Sequence, residues 1–175
     1  QFSSQNANGE IKDSSKVENT TASEKADPVI YAPVSGEVVA LSEIPDKTFA
    51  SGILGDGVGI HPSNGKVVAP FDGIISATTE TSHAIGVTGE NGAELLIHIG
   101  VDTVAMQGKG FKTLVKDGQK VVKGQNLIEF DIDEIKKAGY PDTVAILVGN
   151  TSDFAAVKRL DSGKVTAGDE LLSIE

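Results

Sequence analysis

From Asp27 onward, short runs of β-branched and apolar residues alternate with Gly, Pro, Asn and Asp. Such punctuated short runs are typical of antiparallel all-β proteins. Strands are predicted near residues 29–32, 36–41, 57–61, 66–69, 73–79, 83–88, 93–99, 126–130, 143–148 and 170–174. Short helices are predicted near 102–107, 110–115, 131–138 and 152–156. The pattern therefore predicts an antiparallel β-sandwich or barrel with a few short peripheral helices.

The first 26 residues have a different composition, rich in Ser, Asn, Lys, Glu and Thr, and their few apolar residues have no period. Such a segment cannot bury enough apolar surface to offset its ordering entropy. We predict that residues 1–26 form a disordered linker from an upstream domain, and that residues 27–175 form one folded domain. The start at Gln1 indicates a fragment or a processed product.

Two pairs of segments resemble each other within the predicted domain. Residues 32–40 and 69–77 share an Ala-Pro-x-x-Gly opening before a branched strand, and residues 120–127 and 164–171 share a Lys-Val-x-x-Gly-x-x-Leu pattern. Proline and glycine at fixed offsets mark recurring corners of the chain. The units are too short for a solenoid.

Composition limits the chemistry that the domain can perform. The chain has no cysteine, which excludes disulfides, thiolate zinc sites and thiol nucleophiles. No apolar run approaches the roughly 20 residues that a membrane-spanning helix needs. The net charge of −10 argues against a nucleic-acid partner and suits a basic protein partner.

Two histidines stand out against this background. His98 lies in the apolar run 93–99, with Leu96 and Gly100 predicted on its face of the strand. If the turn at 89–92 is centred between Glu90 and Asn91, His83 lies directly opposite His98. Directly opposed Cβ atoms are about 4.5–5.5 Å apart, so the two imidazoles would share one face. A register slip of one residue would separate them.

An imidazole pair without cysteines is compatible with two chemistries. One is nucleophilic attack by a neutral imidazole nitrogen on a phosphoryl group, in an apolar setting that excludes water. The other is zinc-dependent hydrolysis, which needs at least one further ligand. No His-x-His or His-Glu-x-x-His motif is present, and the third histidine, His61, has no nearby partner in the sequence. The metallohydrolase interpretation is therefore disfavoured.

Several motifs, taken in order, resemble one known family. They are Gly92–Val104, Ala32-Pro33-x-x-Gly36, Gly55-Asp56-Gly57, Ala69-Pro70-x-x-Gly73, Glu80-Thr81-Ser82-His83-Ala84 and Gly110-Phe111. The chain from Asp27 to Glu175 resembles the glucose-type enzyme IIA domain of the bacterial phosphoenolpyruvate-dependent sugar phosphotransferase system. The resemblance implies a β-sandwich with short peripheral helices and a phosphocarrier function.

The resemblance also implies roles for individual residues. His98 would accept a phosphoryl group from phospho-HPr and pass it to a cysteine of enzyme IIB. His83 would stabilise the phosphoryl group, and Thr81 would orient an imidazole. Some family members carry an aromatic residue where this chain has Thr79, which alters part of the apolar collar around the site.

Four further residues would meet partners. Asp46 and Asp102 would contact basic residues of HPr, while Phe49 and Val104 would belong to the apolar collar. Asp102 could also simply cap a short helix, and both of its roles could hold together. Asp46 could be only a turn residue. The resemblance implies no cofactor and requires no metal, although His83 and His98 could hold an adventitious or regulatory zinc ion.

The linker suggests fusion to the enzyme IIB and IIC domains of a membrane permease, which would place this domain in the cytoplasm. One alternative is a regulatory IIA-like domain on a sugar transporter outside the phosphotransferase system. Biotinyl or lipoyl carriers are disfavoured, because Met106 is the only methionine and has no adjacent lysine. Glucose, sucrose, trehalose and β-glucoside systems all use similar domains.

Overall fold

A computed structural model describes residues 26–161 and 163–175. In this part of the chain the strands are β1 (Val29–Tyr31), β2 (Gly36–Ala40), β3 (Asp56–Pro62), β4 (Lys66–Val68), β5 (Gly73–Thr78), β6 (Ala84–Gly89), β7 (Glu94–Ile99), β8 (Phe111–Thr113), β9 (Lys120–Val121), β10 (Asn126–Phe130), β11 (Val144–Val148), β12 (Val157–Arg159), β13 (Lys164–Val165) and β14 (Glu170–Ile174). All the strands predicted from the sequence are present.

The strands form three antiparallel sheets. The largest has eight strands in the order β9-β5-β6-β7-β11-β3-β2-β13, and two three-stranded sheets have the orders β4-β10-β8 and β12-β14-β1. The predicted all-β class is confirmed. Strand β11 lies at the middle of the large sheet, between β7 and β3, and all five of its residues are buried.

The core lies on one face of the large sheet. On β7 the residues Leu95, Ile97 and Ile99 are buried in it, while Leu96 and His98 on the opposite face are only partly buried. This alternation follows from the period of two along a strand. Leu96 packs on a second, smaller apolar cluster that contains Ile44, Phe49, Ala145 and Leu147. His98 therefore lies on the outer face of the sheet, away from the main core.

The internal resemblances correspond to two equivalent corners. Strand β9 pairs with Gly73–Ile74 as β13 pairs with Gly36–Glu37. Ala69 exchanges backbone hydrogen bonds with Gly124 and Gln125 as Ala32 does with Gly168 and Asp169. The two kinds of repeated segment are therefore hydrogen-bonded to each other.

The helical predictions had mixed outcomes. Helix α2 (Ile132–Lys137) confirms the prediction at 131–138, and residues 103–106 and 151–153 form short 3-10 turns. The helix predicted at 110–115 is wrong, because residues 111–113 form β8 and pair with β10. The sequence did not indicate helix α1 (Lys47–Ala50), the 3-10 turn at 41–43 or the short strands β9, β12 and β13.

The predicted disordered linker lies outside the described residues except for Ala26, so it stays a prediction. Among the residues described, no helix is long and apolar enough to span a bilayer.

Candidate active site: two packed imidazoles

His83 and His98 are in contact on the large sheet. Their ring centroids are 5.0 Å apart and the rings are nearly perpendicular, at 80°. His83 is buried, with 8% of its surface exposed, and His98 is partly buried. The histidine pair expected from the sequence is therefore present.

The register that brings the rings together differs from the predicted one. Ala84, not His83, is the residue opposite His98. The hairpin has a three-residue loop, Glu90–Gly92, in which Gly92 adopts a φ of 90° and the Gly89 N–H donates to the Ala93 carbonyl. A three-residue loop with a left-handed glycine shifts the pairing by one residue relative to a two-residue turn.

His98 is held in one tautomer by the backbone. Its Nδ1 lies 2.8 Å from the carbonyl oxygen of Gly100. Because a carbonyl can only accept, Nδ1 carries the hydrogen, and Nε2 of the neutral ring keeps a free lone pair. The acceptor is positioned by a tight corner: Gly100 has a φ of 75°, and a Cβ there would overlap the Thr103 methyl and lie 3.0 Å from the Pro141 carbonyl oxygen.

Two threonine hydroxyls lie beside His83. Thr81 Oγ1 is 2.6 Å from His83 Nδ1, and Thr79 Oγ1 is 3.5 Å from the same nitrogen. The Thr79 hydroxyl also accepts from the Ala84 N–H and donates to the Ala84 carbonyl. Thr81 therefore directly contacts the second imidazole, as expected, while Thr79 mainly braces the backbone that follows it.

Burial favours the neutral form of both rings. Burial lowers the pKa of His98 below 6.5, against the opposing effects of the Gly100 carbonyl and the Asp46 and Asp102 carboxylates. Burial, followed by repulsion from His98, lowers the pKa of His83. At neutral pH both imidazoles are therefore predominantly uncharged, which is the form that an attacking nitrogen needs.

Asp46 and Phe49 form one wall of the site through helix α1. The Asp46 carboxylate accepts from the backbone N–H groups of Thr48 and Phe49 and caps the helix. The Phe49 ring lies 4.9 Å from the His98 ring, centroid to centroid. Asp46 is thus more than a turn residue, because it fixes the helix that places Phe49 against His98.

Asp102 and Val104 lie beyond the end of β7. Asp102 has a left-handed backbone, with a φ of 62°, and its side chain makes no capping hydrogen bond to the turn at 103–106. Asp102 therefore occupies the N-cap position of this turn, but its side chain does not cap it. Asp102 is exposed, and Val104 is 55% exposed; both side chains are accessible to a partner.

One residue beside the site, Thr103, was not indicated by the sequence. Thr103 is buried and its hydroxyl donates to the Ile99 carbonyl, which ties the 103–106 turn to β7. A hydroxyl directly after a strand was the available signal.

The third histidine does not join the pair. His61 is exposed on β3, and its Nδ1 lies 3.2 Å from Thr143 Oγ1. Within residues 26–161 and 163–175, no group of three or more His, Asp or Glu side chains is arranged to hold a metal ion. The described residues thus contain no ready-made zinc centre of the metallohydrolase type.

The fold and the site together define an antiparallel β-sandwich with two packed, neutral imidazoles on its outer face. Residues 28–154 match the family described as "phosphoenolpyruvate-dependent sugar phosphotransferase system, EIIA 1". The chain therefore belongs to this family and is an enzyme IIA phosphotransferase component.

Similar proteins agree with this assignment. The chain is 43% identical over 140 residues to the glucose-specific EIIA component of Oceanobacillus iheyensis, covering 80% of this chain and 85% of that protein. It is 44% identical over 169 residues to a β-glucoside-specific EIIBCA component of Halalkalibacterium halodurans, covering 97% of this chain but only 26% of that protein.

A solved structure, glucose permease IIA from Mycoplasma capricolum, has a TM-score of 0.72 at 30% identity, covering 82% of this chain and 93% of that one. The matched region thus spans most of the standalone EIIA component and about a quarter of the fused EIIBCA component.

Proposed function

We propose that this domain accepts a phosphoryl group from phospho-HPr on Nε2 of His98 and passes it to a cysteine of enzyme IIB. The observation that carries the proposal is the 2.8 Å contact from His98 Nδ1 to the Gly100 carbonyl. It leaves Nε2 as the nitrogen with a free lone pair in a ring that burial keeps neutral.

In the first transfer, the Nε2 lone pair of His98 forms a bond to phosphorus while the bond from phosphorus to the donor breaks. The bonding electrons return to the donor. The ring then carries positive charge, and the Gly100 carbonyl stabilises it through the Nδ1–H. In the second transfer, a thiolate sulfur of enzyme IIB takes the phosphoryl group and Nε2 regains its lone pair.

His83 stabilises the phosphoryl oxygens during both transfers. If the Thr81 hydroxyl donates to His83 Nδ1 across their 2.6 Å separation, the ring hydrogen lies on Nε2. That N–H can donate to a phosphoryl oxygen held on the neighbouring His98 ring, 5.0 Å away between centroids. Phosphoryl transfer depends mainly on such positioned donors.

The residues around the pair suit a basic protein partner. Asp46 and Asp102 are close enough to affect the pKa of His98, and they would attract basic residues of HPr. Phe49, which packs on His98, and the exposed Val104 would form the apolar collar that excludes water during transfer. This mixture of apolar centre and charged rim is typical of a transient docking surface.

We further propose that residues 27–175 are the enzyme IIA domain of a larger permease in the cytoplasmic membrane. Residues 1–26 would then link it to the IIB and IIC domains on the cytoplasmic side. The support is the EIIBCA arrangement of relatives from Halalkalibacterium halodurans and Bacillus subtilis. HPr and the IIB domain would be the domain's two phosphotransfer partners.

A reconstituted phosphotransfer assay tests the function. The domain is incubated with phosphoenolpyruvate, enzyme I and HPr, and an acid-labile phosphoryl adduct is measured. We expect the adduct on wild type and on the His61→Ala control, and none on His98→Ala. An adduct that survives His98→Ala would reject the assignment.

The same assay separates the two histidines of the pair. The His83→Ala variant is expected to accept the phosphoryl group on His98 but to pass it slowly to enzyme IIB. The loss of transition-state hydrogen bonding predicts a decrease on the order of 100-fold in the second step. Onward transfer at the wild-type rate would reject the role of His83.

A further inference from the structure

The turn before His83 contains an unfavourable backbone conformation. Ser82 has a φ of 61°, and only Asp102 and Gln107 share a positive φ among the non-glycine residues described. A left-handed backbone brings Cβ close to the following carbonyl oxygen, so L-residues other than glycine rarely adopt it. Residues in such conformations concentrate at functional sites when the surrounding structure holds them.

The position of the His83 ring cannot be explained by a regular strand. Ala84 lies opposite His98 in the ladder between β6 and β7, and the Ile99 N–H donates to the His83 carbonyl at 2.8 Å. Successive side chains of a strand point to opposite faces. A regular strand through residue 83 would therefore direct that side chain to the core face, away from His98.

Instead, the two imidazole centroids are 5.0 Å apart. Strand β6 begins only at Ala84, and the residue immediately before His83 is the left-handed Ser82. The chain thus leaves the extended conformation at the point where the His83 ring must turn toward His98.

The neighbouring residues hold this turn from two sides. The Ser82 N–H donates to the Thr79 carbonyl at 3.0 Å, and the Thr79 hydroxyl bonds both backbone groups of Ala84. On the other side, a methyl group added at Gly108 would lie 3.8 Å from the Thr81 Cα, so the loop containing Gly108 packs against the turn. No hydrogen bond from the Ser82 hydroxyl contributes to this bracing among the contacts of the described residues.

We propose that Ser82 is a positioning residue, whose left-handed backbone directs the His83 imidazole toward the phosphoryl group on His98. The proposal rests on the proposed phosphocarrier function and adds a residue to it. Serine can adopt this left-handed conformation because it is unbranched at Cβ and tolerates a positive φ better than a β-branched residue does. The backbone conformation, rather than the hydroxyl, is the feature that matters.

Two substitutions separate the backbone from the hydroxyl. Ser82→Gly removes the hydroxyl but accepts a positive φ without cost, so it should retain the ring contact and wild-type transfer. Ser82→Thr keeps the hydroxyl but adds a β-branch that disfavours this φ. Ser173→Thr, in the extended strand β14, is the matched control and should behave as wild type.

The first readout needs no phosphoryl transfer. Nuclear Overhauser effects between the His83 and His98 rings should be present in wild type, Ser82→Gly and Ser173→Thr, and weakened or lost in Ser82→Thr. The second readout is the rate of each transfer step. A misplaced ring should slow onward transfer from Ser82→Thr on the order of 100-fold while phosphoryl acceptance on His98 persists.

Two results would overturn the proposal. One is an intact ring contact in Ser82→Thr, and the other is equal loss of the contact in Ser82→Gly and Ser82→Thr. If neither the wild type nor any variant forms a phosphoryl adduct, the proposed function fails. The contacts between the rings still decide whether Ser82 positions His83.

The Ser82→Thr variant could fail to fold. In that case, wild-type ring contacts and transfer in Ser82→Gly support the backbone requirement, and impaired contacts or transfer in Ser82→Gly contradict it.

Discussion

At the scale of single residues, the tautomer of His98 depends on Gly100, a residue that has no side chain. The Gly100 carbonyl accepts from His98 Nδ1, and its corner leaves no room for a Cβ beside Thr103 and Pro141. Gly100 therefore determines which nitrogen of the His98 ring is free. Glycine is required here both for the positive φ of 75° and for the close approach.

The substitution Gly100→Ala is expected to destabilise the fold and slow phosphoryl acceptance. The positive φ costs about 1–2 kcal/mol for any L-residue, and the crowding adds about 1–3 kcal/mol. Gly124→Ala is the matched control, because Gly124 has a φ of 89° and open space around it. Urea denaturation checks the difference, and equal losses in the two variants would contradict the crowding argument.

Thr81 provides a milder test of the His83 side of the site. Thr81→Ala removes the hydroxyl at 2.6 Å from His83 Nδ1, and a neutral hydrogen bond contributes about 0.5–1.5 kcal/mol, roughly 2–10-fold in rate. We expect transfer to enzyme IIB to slow by this factor in a stopped-flow assay. Thr81→Ser, which keeps the hydroxyl, should remain close to wild type.

The two histidines also make stability depend on pH. Burial lowers both pKa values from 6.5 in the folded protein, so below that pH the unfolded chain binds protons that the folded chain does not. The free energy of unfolding should therefore be greatest above about pH 6.5 and decrease as the pH falls toward the folded-state pKa values. Denaturation curves at pH 5–8 check this.

The control for this pH dependence is the double variant H83Q/H98Q. Its free energy of unfolding should depend less on pH across the same window, because glutamine does not titrate. An unchanged slope in the double variant would assign the effect to other groups.

At the scale of elements, the four-residue helix α1 forms one wall of the histidine site, although it is very short. Its cap, Asp46, accepts from two backbone N–H groups, and its buried Phe49 packs on His98. So short a helix is not stable by itself. It is held by the cap and by the packing of Phe49 against Ile44, Ala145 and Leu147 in the smaller apolar cluster. No hydrophobic period could reveal it in the sequence.

The substitution Asp46→Ala is expected to cost about 1 kcal/mol through the lost cap and also to slow phosphoryl acceptance, because Phe49 loses its fixed position. Asp131→Ala is the control, since Asp131 caps α2 through the Glu134 N–H and does not contact the histidine pair. It should lose similar stability with unchanged acceptance. Equal kinetic effects in the two variants would contradict the role of α1.

The hairpin from β6 to β7 shows how far element-level prediction extends. The two strands followed from their apolar and β-branched runs, and the contact between the two histidines was predicted from an assumed register. The true register did not follow from the sequence, because Glu90–Gly92 could close as a two- or a three-residue loop. The structure selects the latter, and the rings still meet because the backbone turns at Ser82.

At the scale of the whole molecule, the net charge of −10 should accelerate association with a basic donor. The second-order rate of phosphoryl acceptance is therefore expected to fall as salt rises from about 0.05 to 0.5 M, because screening shortens the reach of the charges. Asp102→Asn should reduce both the low-salt rate and its salt dependence.

Asp133→Asn, an exposed change on α2, removes the same charge away from the site and is the control. Stopped-flow measurements at several salt concentrations distinguish the two variants. A rate independent of salt would show that charge does not steer the donor.

The arrangement of the three sheets shows what could not be read locally. The sequence contained two pairs of similar segments, but nothing in either pair indicated that β9 joins Gly73–Ile74 or that β13 joins Gly36–Glu37. These partners are more than 40 residues apart in the chain. Such short edge strands exist only because a distant segment supplies their hydrogen bonds, so their own composition did not reveal them.

The sequence by itself determined the all-β class and the strand that carries His98, because these follow from apolar runs and motifs within contiguous segments. It predicted His83 as the partner only through a register that the structure corrects. Only the tertiary structure decided the free nitrogen of His98, the wall formed by α1 and the turn that directs His83. Each of these depends on a backbone angle or on a contact between segments. A hydrophobic pattern specifies which residues are buried, whereas these features require atoms to be placed in three dimensions.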